Sequence, residues 1–149
     1  MASNPQPSTK AAARTKRASL HHVGFAVTSI TAAAEGFAQS LGAEWDGNII
    51  HDPLQEARVT FMCIGGAGAP AMELVEPAGQ NSPLRKFVAR GGGLHHICYE
   101  VDSLEIQLEQ SRASGCLVVK APLPAVAFHG RRIAWVYTPQ KLLVEYLER

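Results

Sequence analysis

The sequence has no apolar run approaching the roughly 18 residues of a membrane-spanning helix, and its N-terminus lacks the apolar centre of a secretory signal. These absences lead us to expect a soluble, cytoplasmic protein with no membrane partner. Only three cysteines occur, Cys63, Cys98 and Cys116, an odd number with no CxxC spacing. That excludes a disulfide framework and a cysteine-rich structural zinc site, and leaves the cysteines as small core residues, with Cys98 able to border a site. Gly65-Gly66-Ala67-Gly68 is not followed by Gly-Lys-Ser/Thr and has no strand-to-helix context, so it is a flexible turn rather than a phosphate loop. Acidic residues are missing from positions 1–19, which carry Lys10, Arg14, Lys16 and Arg17. The remaining 10 basic and 13 acidic residues make the rest mildly acidic, which the net charge of +1 conceals. Rich in Pro, Ser and Ala and poor in apolar residues, positions 1–19 are expected to form a disordered tail. The tail lacks the amphipathic face of a transit peptide and is less basic than a nucleic-acid arm, so no nucleic-acid partner is expected.

What the chain does have is an apolar fraction of 46%, enough for one domain over residues 20–148, and an internal repeat. Ser19-Leu20-His21-His22-Val23-Gly24-Phe25-Ala26-Val27 returns 74 positions later as Gly93-Leu94-His95-His96-Ile97-Cys98-Tyr99-Glu100-Val101. Over Ser19 to Ile30 and Gly93 to Leu104, five of twelve positions are identical. As a strand, the first copy puts His22, Gly24 and Ala26 on one face and Val23, Phe25 and Val27 on the other. The second copy likewise separates His96, Cys98 and Glu100 from Ile97, Tyr99 and Val101. Each copy therefore offers one histidine from a small or polar face, where Gly24 and Ala26 either leave room for a ligand or serve packing.

The segments after each copy also correspond. Ser29 caps a helix with apolar Ile30, Ala33, Ala34, Phe37 and Leu41, ended by Gly42. Strands are expected at Ala43 to Ile50, Arg58 to Ile64 and Ala71 to Glu76, with His51-Asp52-Pro53 as a turn. Ser82-Pro83 opens a linker helix over residues 82–91, with Ser as cap and Pro as first helical residue. The second unit, residues 93–148, repeats the order of the first, residues 20–77: a helix after Asp102-Ser103, then strands at Cys116 to Lys120, Arg132 to Tyr137 and Leu142 to Glu148. The fold class is α+β, two tandem β-α-β-β-β modules forming a curved mixed sheet.

Glu73 and Glu145 form a second matched pair, 51 residues after His22 and 49 after His96. Each lies mid-strand among apolar neighbours, with a further acid three positions on, Glu76 and Glu148. An enclosed ionised carboxylate is costly without a counter-charge, and a divalent cation supplies one. Two imidazoles and two carboxylates suit a first-row divalent ion with open positions for a chelating substrate. A single strand histidine or glutamate is ordinarily a packing or solvent-facing residue; four recurring in pairs favour the metal. The loop Phe128-His129-Gly130-Arg131-Arg132 offers His129 and Arg131 as candidates to bind a substrate carboxylate or phosphate.

On these motifs, and on Ser82-Pro83-Leu84-Arg85-Lys86-Phe87 running through Gly91-Gly92-Gly93 to Asp102, the chain resembles the vicinal oxygen chelate superfamily (glyoxalase, bleomycin resistance protein, dioxygenase) from Leu20 to Glu148. Within it the resemblance is to methylmalonyl-CoA epimerase and glyoxalase I. It implies one divalent metal ion, drawn from cobalt, nickel, manganese, zinc, magnesium or iron, held by His22, Glu73, His96 and Glu145. His21 and His95 become packing residues or supports behind the ligands. The implied reaction is that of a metal-dependent isomerase, epimerase or lyase moving a proton next to a carbonyl, on a small carbonyl or thioester substrate. Glu145 is the first candidate base and Glu73 the second. Epimerases of this type carry Gln where Glu73 stands and a proton-transfer Glu on the third strand, where the alignment places Thr60. Two alternatives are an iron-dependent extradiol-type dioxygenase using His22, His96 and Glu145, and a non-catalytic binding or resistance protein. A homodimer is among the expected assemblies.

Overall fold

Ser29 and Ser103 each end a strand in extended conformation (φ -146° and -147°) and turn it into a helix by accepting a hydrogen bond from the amide three residues on, Ala32 and Ile106. A side-chain cap of this kind stabilises a helix start by about 1 kcal/mol. The computed structural model describes residues 18–149. The expected tail lies outside the described residues apart from Ala18 and Ser19, where the first strand opens. In order the elements are β1 (Ser19–Ala26), α1 (Ile30–Leu41), β2 (Glu44–Trp45), β3 (Ile50–Asp52), β4 (Ala57–Cys63), β5 (Ala71–Pro77), α2 (Leu84–Ala89), β6 (Gly93–Val101), α3 (Leu104–Ala113), β7 (Leu117–Pro124), a 3-10 turn (Val126–Phe128), β8 (Arg132–Tyr137) and β9 (Leu143–Glu148).

All nine strands join one sheet in the order β2-β4-β5-β1-β6-β9-β8-β7, with β3 also on β4. β1 runs parallel to β5 and β6 parallel to β9, while β1 and β6 pair antiparallel at the centre. The mixed sheet of the expected α+β fold is therefore two like units meeting along β1 and β6. It curls until its far ends touch: the Val126 amide donates to Asp52 Oδ2 (2.8 Å), and Lys120 Nζ donates to Gln55 Oε1 (2.8 Å).

Strand alternation divides the apolar residues between two faces. On the convex face, α1 packs Ile30 and Ala34 against Met62, Met72 and Leu74, and α3 packs Leu104 and Leu108 against Ala134, Val136 and Val144. On the concave face, α2 covers Ala26, Val59 and Val75 with Leu84 and Val88, and the 3-10 turn brings Phe128 against Cys98, Ile133 and Leu147. The second acids hold the helices in place. Glu76 accepts from the Ile30 amide (2.6 Å) and pairs with Arg58; Glu148 accepts from the Leu104 amide (3.3 Å) and pairs with Arg132 (2.7 Å). A carboxylate at a helix N-terminus meets free amides and the positive end of the dipole.

Several local expectations are corrected. The strand expected over Ala43 to Ile50 is two short ones, because Asp46 Oδ1 accepts from the Asn48 amide and Gly47 takes φ 79°. Pairing continues through Asp52, opposite Ala57, so only Pro53 of the expected turn begins it. β7 runs on to Pro124 because it is an edge strand, where prolines cost no ladder hydrogen bond. α2 is capped at Pro83, and the buried Ser82 hydroxyl makes no hydrogen bond. Of the cysteines only Cys98 is buried; Cys63 is exposed. Gly92, at φ 66°, lets the chain after α2 pass β1, since a Cβ there would stand 2.4 Å from the Ala26 carbonyl oxygen.

Candidate metal centre and its cavity

His22 and His96 come from the two central strands, Glu73 and Glu145 from the parallel partners of those strands, and all four point to the concave face. They are almost wholly buried, with relative exposures of 0%, 1%, 4% and 2%. His22 Nε2 lies 3.0 Å from His96 Nε2, 3.4 Å from Glu73 Oε2 and 3.2 Å from Glu145 Oε2. His96 Nε2 lies 3.1 Å from Glu73 Oε2 and 3.8 Å from Glu145 Oε2. Donors sharing one ion at about 2.0–2.2 Å stand about 3 Å or a little more from one another, which is the spacing seen.

The outer nitrogens of the ligand pair are already engaged. His21 Nδ1 is 2.8 Å from His22 Nδ1, and His95 Nδ1 is 3.0 Å from His96 Nδ1. Burial, reinforced by the charge on His22, lowers the pKa of His21; burial and His96 lower that of His95 to about 4. The shifts favour the neutral form of both, which can accept an Nδ1–H from the next residue. That leaves the Nε2 lone pairs of His22 and His96 facing each other and the carboxylates, an arrangement that needs a cation between them. Without a metal a proton partly fills the need: burial opposes charge on His22, but the charge on Glu73 and hydrogen bonds to Glu145 and Glu73 outweigh it and raise its pKa to about 10. Burial likewise opposes ionisation of Glu73, yet the charge on His22 and its hydrogen bond outweigh this and hold Glu73 well below the usual carboxylate range. Glu145 Oε2 is buried and faces both imidazoles, 3.2 Å from His22 Nε2 and 3.8 Å from His96 Nε2. These residues fit a divalent cation.

Aromatic rings fix the imidazoles. Phe61 meets His22 edge-on (5.7 Å between centroids) and Trp135, 74 positions later, meets His96 (4.8 Å). Phe128 stacks on His22 at 5.8 Å. Gly24 is needed for a packing reason: a Cβ there would stand 2.0 Å from His96 Cε1, so its free space belongs to the ligand ring and not to a substrate. Cys98, its counterpart, pairs in register with both His22 and Glu145. A thiol there forms a second possible donor group with His21 and His22, but burial and the neighbouring Glu145 push its pKa far up, keeping it protonated and a poor ligand.

Beside the quartet is a cavity of ≈ 270 Å³ with apolar walls that include Val59, Val75, Leu84 and Ile133. Glu73, His96, Glu145 and His95 line it, together with Lys120, the one lysine or arginine among its described lining residues. Arg131 and His129 do not line it. Arg131 donates to Glu100 Oε1 (2.6 Å) and to the Glu148 carbonyl (2.7 Å), and His129 is an exposed residue at φ 55° ending the 3-10 turn. Thr60 turns to the convex face, where its hydroxyl accepts from Trp45 Nε1 (2.7 Å) and donates to the Asn48 carbonyl (2.5 Å). Its neighbour Phe61 is the β4 residue that faces the quartet. Lys120 and Phe128 were not singled out from the sequence. The matched pair Phe61/Trp135 was a usable signal.

Two like modules meet on a buried pair of imidazoles and a pair of carboxylates, beside an apolar cavity. The chain belongs to the glyoxalase/bleomycin resistance protein/dioxygenase superfamily, which it matches over residues 21–135. It is 31% identical over 120 residues to an ethylmalonyl-CoA/methylmalonyl-CoA epimerase of Cereibacter sphaeroides, covering 79% of this chain and 87% of that one. Among solved structures, a methylmalonyl-CoA epimerase from Mycobacterium tuberculosis is similar with a TM-score of 0.72 and 25% identity, over 87% of this chain and 86% of that one. A hypothetical protein from Bacillus halodurans gives 0.77 and 30%, over 90% and 96%.

Proposed function

We propose that this chain is a metal-dependent epimerase of a 2-substituted malonyl-CoA-type thioester. His22, Glu73, His96 and Glu145 hold the metal. When bound, a divalent cation supplies Lewis-acid stabilisation of the negative charge that builds on the substrate oxygens as the carbon acid loses its proton. The observation that carries the reading is the Glu145 carboxylate, which is buried, lines the cavity and stands 3.2 Å from His22 Nε2 within the quartet. Glu145 takes the proton from the carbon between the two carbonyl groups, and the C–H electron pair moves into the thioester carbonyl. Return of that proton to the same face restores the substrate, whereas delivery of a proton to the opposite face by a second acid inverts the carbon, with no net redox change. Glu73 is the weaker candidate base, because the surrounding imidazoles hold it ionised and lower its basicity. Apolar walls exclude water and strengthen each charge interaction inside. Lys120 faces the same cavity and suits an anionic group of the substrate.

The test is exchange of the C2 proton of methylmalonyl-CoA for solvent deuterium, followed by NMR on the metal-loaded protein. Exchange with racemisation is expected, and Glu145→Gln lowers its rate by about 100-fold or more. No exchange by a fully metal-loaded protein would refute the reading. One observation favours a second: Phe61, not a carboxylate, faces the quartet from β4, and Glu73 stands where epimerases of the type carry Gln. Both suit a glyoxalase-type isomerisation of a thiohemiacetal, so exchange at a thiohemiacetal carbon with none at the malonyl carbon would select it.

A further inference from the structure

His95 and Leu143 line two hollows at once, the cavity at the quartet and a groove of ≈ 570 Å³ beside α2. That groove is walled by Phe87 and Arg90 from α2 and its end, by Leu94, by Tyr137 at the end of β8 and by Lys141 from the β8–β9 turn. It is cationic: no acidic residue lines it, and neither Arg90 nor Lys141 has a carboxylate within ion-pair distance among the described residues. Arg90 uses only Nε, on the Lys86 carbonyl (3.2 Å), leaving the rest of its guanidinium free. Leu94 and Tyr137 are 56% and 41% exposed, a high figure for two large apolar side chains meeting in one groove.

We propose that this groove holds the nucleotide end of the coenzyme A portion of the substrate, an inference that rests on the thioester reading above. The acyl group sits at the quartet, and the pantetheine arm leaves the cavity between His95 and Leu143. The phosphates then lie against Arg90 and Lys141, where a guanidinium and an ammonium meet anionic oxygens. The adenine covers Leu94 and Tyr137, burying apolar surface that is otherwise wet.

The test compares the metal-loaded wild type with Arg90→Ala, Lys141→Ala and the double variant on two substrates, methylmalonyl-CoA and the N-acetylcysteamine thioester of methylmalonate. With the CoA thioester, KM rises about tenfold for each cation removed, since a hydrogen bond to a charged group is worth about that factor, and kcat holds. KM for the short thioester, which lacks phosphates, stays in place. Equal movement of KM for both substrates, or for neither, overturns the proposal. Calorimetry with free coenzyme A separates this from the catalytic reading. Weaker binding by the double variant supports the groove even if no thioester is turned over, in which case the epimerase reading is the one that falls. Equal binding by wild type and double variant overturns the groove.

Discussion

Laid over one another, the two modules agree at some positions and differ at others, and the two sets do different work. His22/His96, Glu73/Glu145, Ser29/Ser103 and the pairs Arg58–Glu76 and Arg132–Glu148 match. Each module thus brings the same His–Glu pair and the same anchor for the helix on its convex face. Gly24 faces Cys98, Phe61 faces Trp135, and Thr60 faces Ala134 at the 74-residue offset. The edges differ most, two short strands and a turn in the first module against β7 and the 3-10 turn in the second. Shared positions build a near-symmetric charge site. The unshared ones make its surroundings one-sided, giving a cavity a single lysine and a single stacked Phe128.

The largest effect is expected from breaking the match itself. His96→Ala abolishes stoichiometric metal binding, whereas His95→Ala, which removes only the support behind the ligand, weakens it about 10–100-fold; titration calorimetry distinguishes the two. The Gly24/Cys98 difference comes next. Gly24→Ala drives a methyl into the His96 ring and is expected to cost about 1–3 kcal/mol in urea unfolding and to weaken metal binding, while Cys98→Ala leaves the metal in place. Across β4, Thr60→Glu buries an unpaired carboxylate on the convex side at a cost of about 3–5 kcal/mol and gains no proton-transfer activity; only Phe61→Glu directs a carboxylate to the site.

Smaller effects sharpen the comparison of the anchors. Glu76 is buried and Glu148 is 22% exposed at the side chain, so Glu76→Gln is expected to destabilise by about 2 kcal/mol and Glu148→Gln by about 1 kcal/mol in the same unfolding experiment. The smallest is a pH effect. The pKa of His22 is raised from 6.5 to about 10 in the metal-free fold, so the stability it contributes is fully present below pH 6.5 and is lost as pH climbs through about 10. The melting temperature of metal-free protein should fall over that window. A metal-loaded sample, with His22 already deprotonated, should hold steady, and loading at pH 7 should release a proton.

The sheet and the quartet were legible because a repeat leaves its mark in plain residues: the doubled histidines, the mid-strand acids at matched spacing and the serine caps. Parity placed His22 and His96 together without any coordinates. Less legible was whatever depends on which side of a strand faces the cavity once loops set the register. Thr60 aligns with a family position by sequence but points the other way, and the real neighbour of the quartet is Phe61. Arg131 looked available because its partner Glu100 lies 31 residues away. Lys120 joins the cavity only because the sheet curls far enough for it to reach Gln55, a contact across 65 residues that no local pattern encodes. Gly24 read equally as room for a ligand or as a packing position, and only the positions of the rings show that His96 fills the space.

The central claim is that equivalent positions of the two modules build one metal site, and X-ray absorption on the cobalt-loaded protein tests it most directly. One cobalt per chain with two imidazole nitrogens and carboxylate oxygens in its shell is the expected result, lost alike in His22→Ala and His96→Ala. A sulfur scatterer from Cys98, a single imidazole, or metal retained in either variant would contradict it.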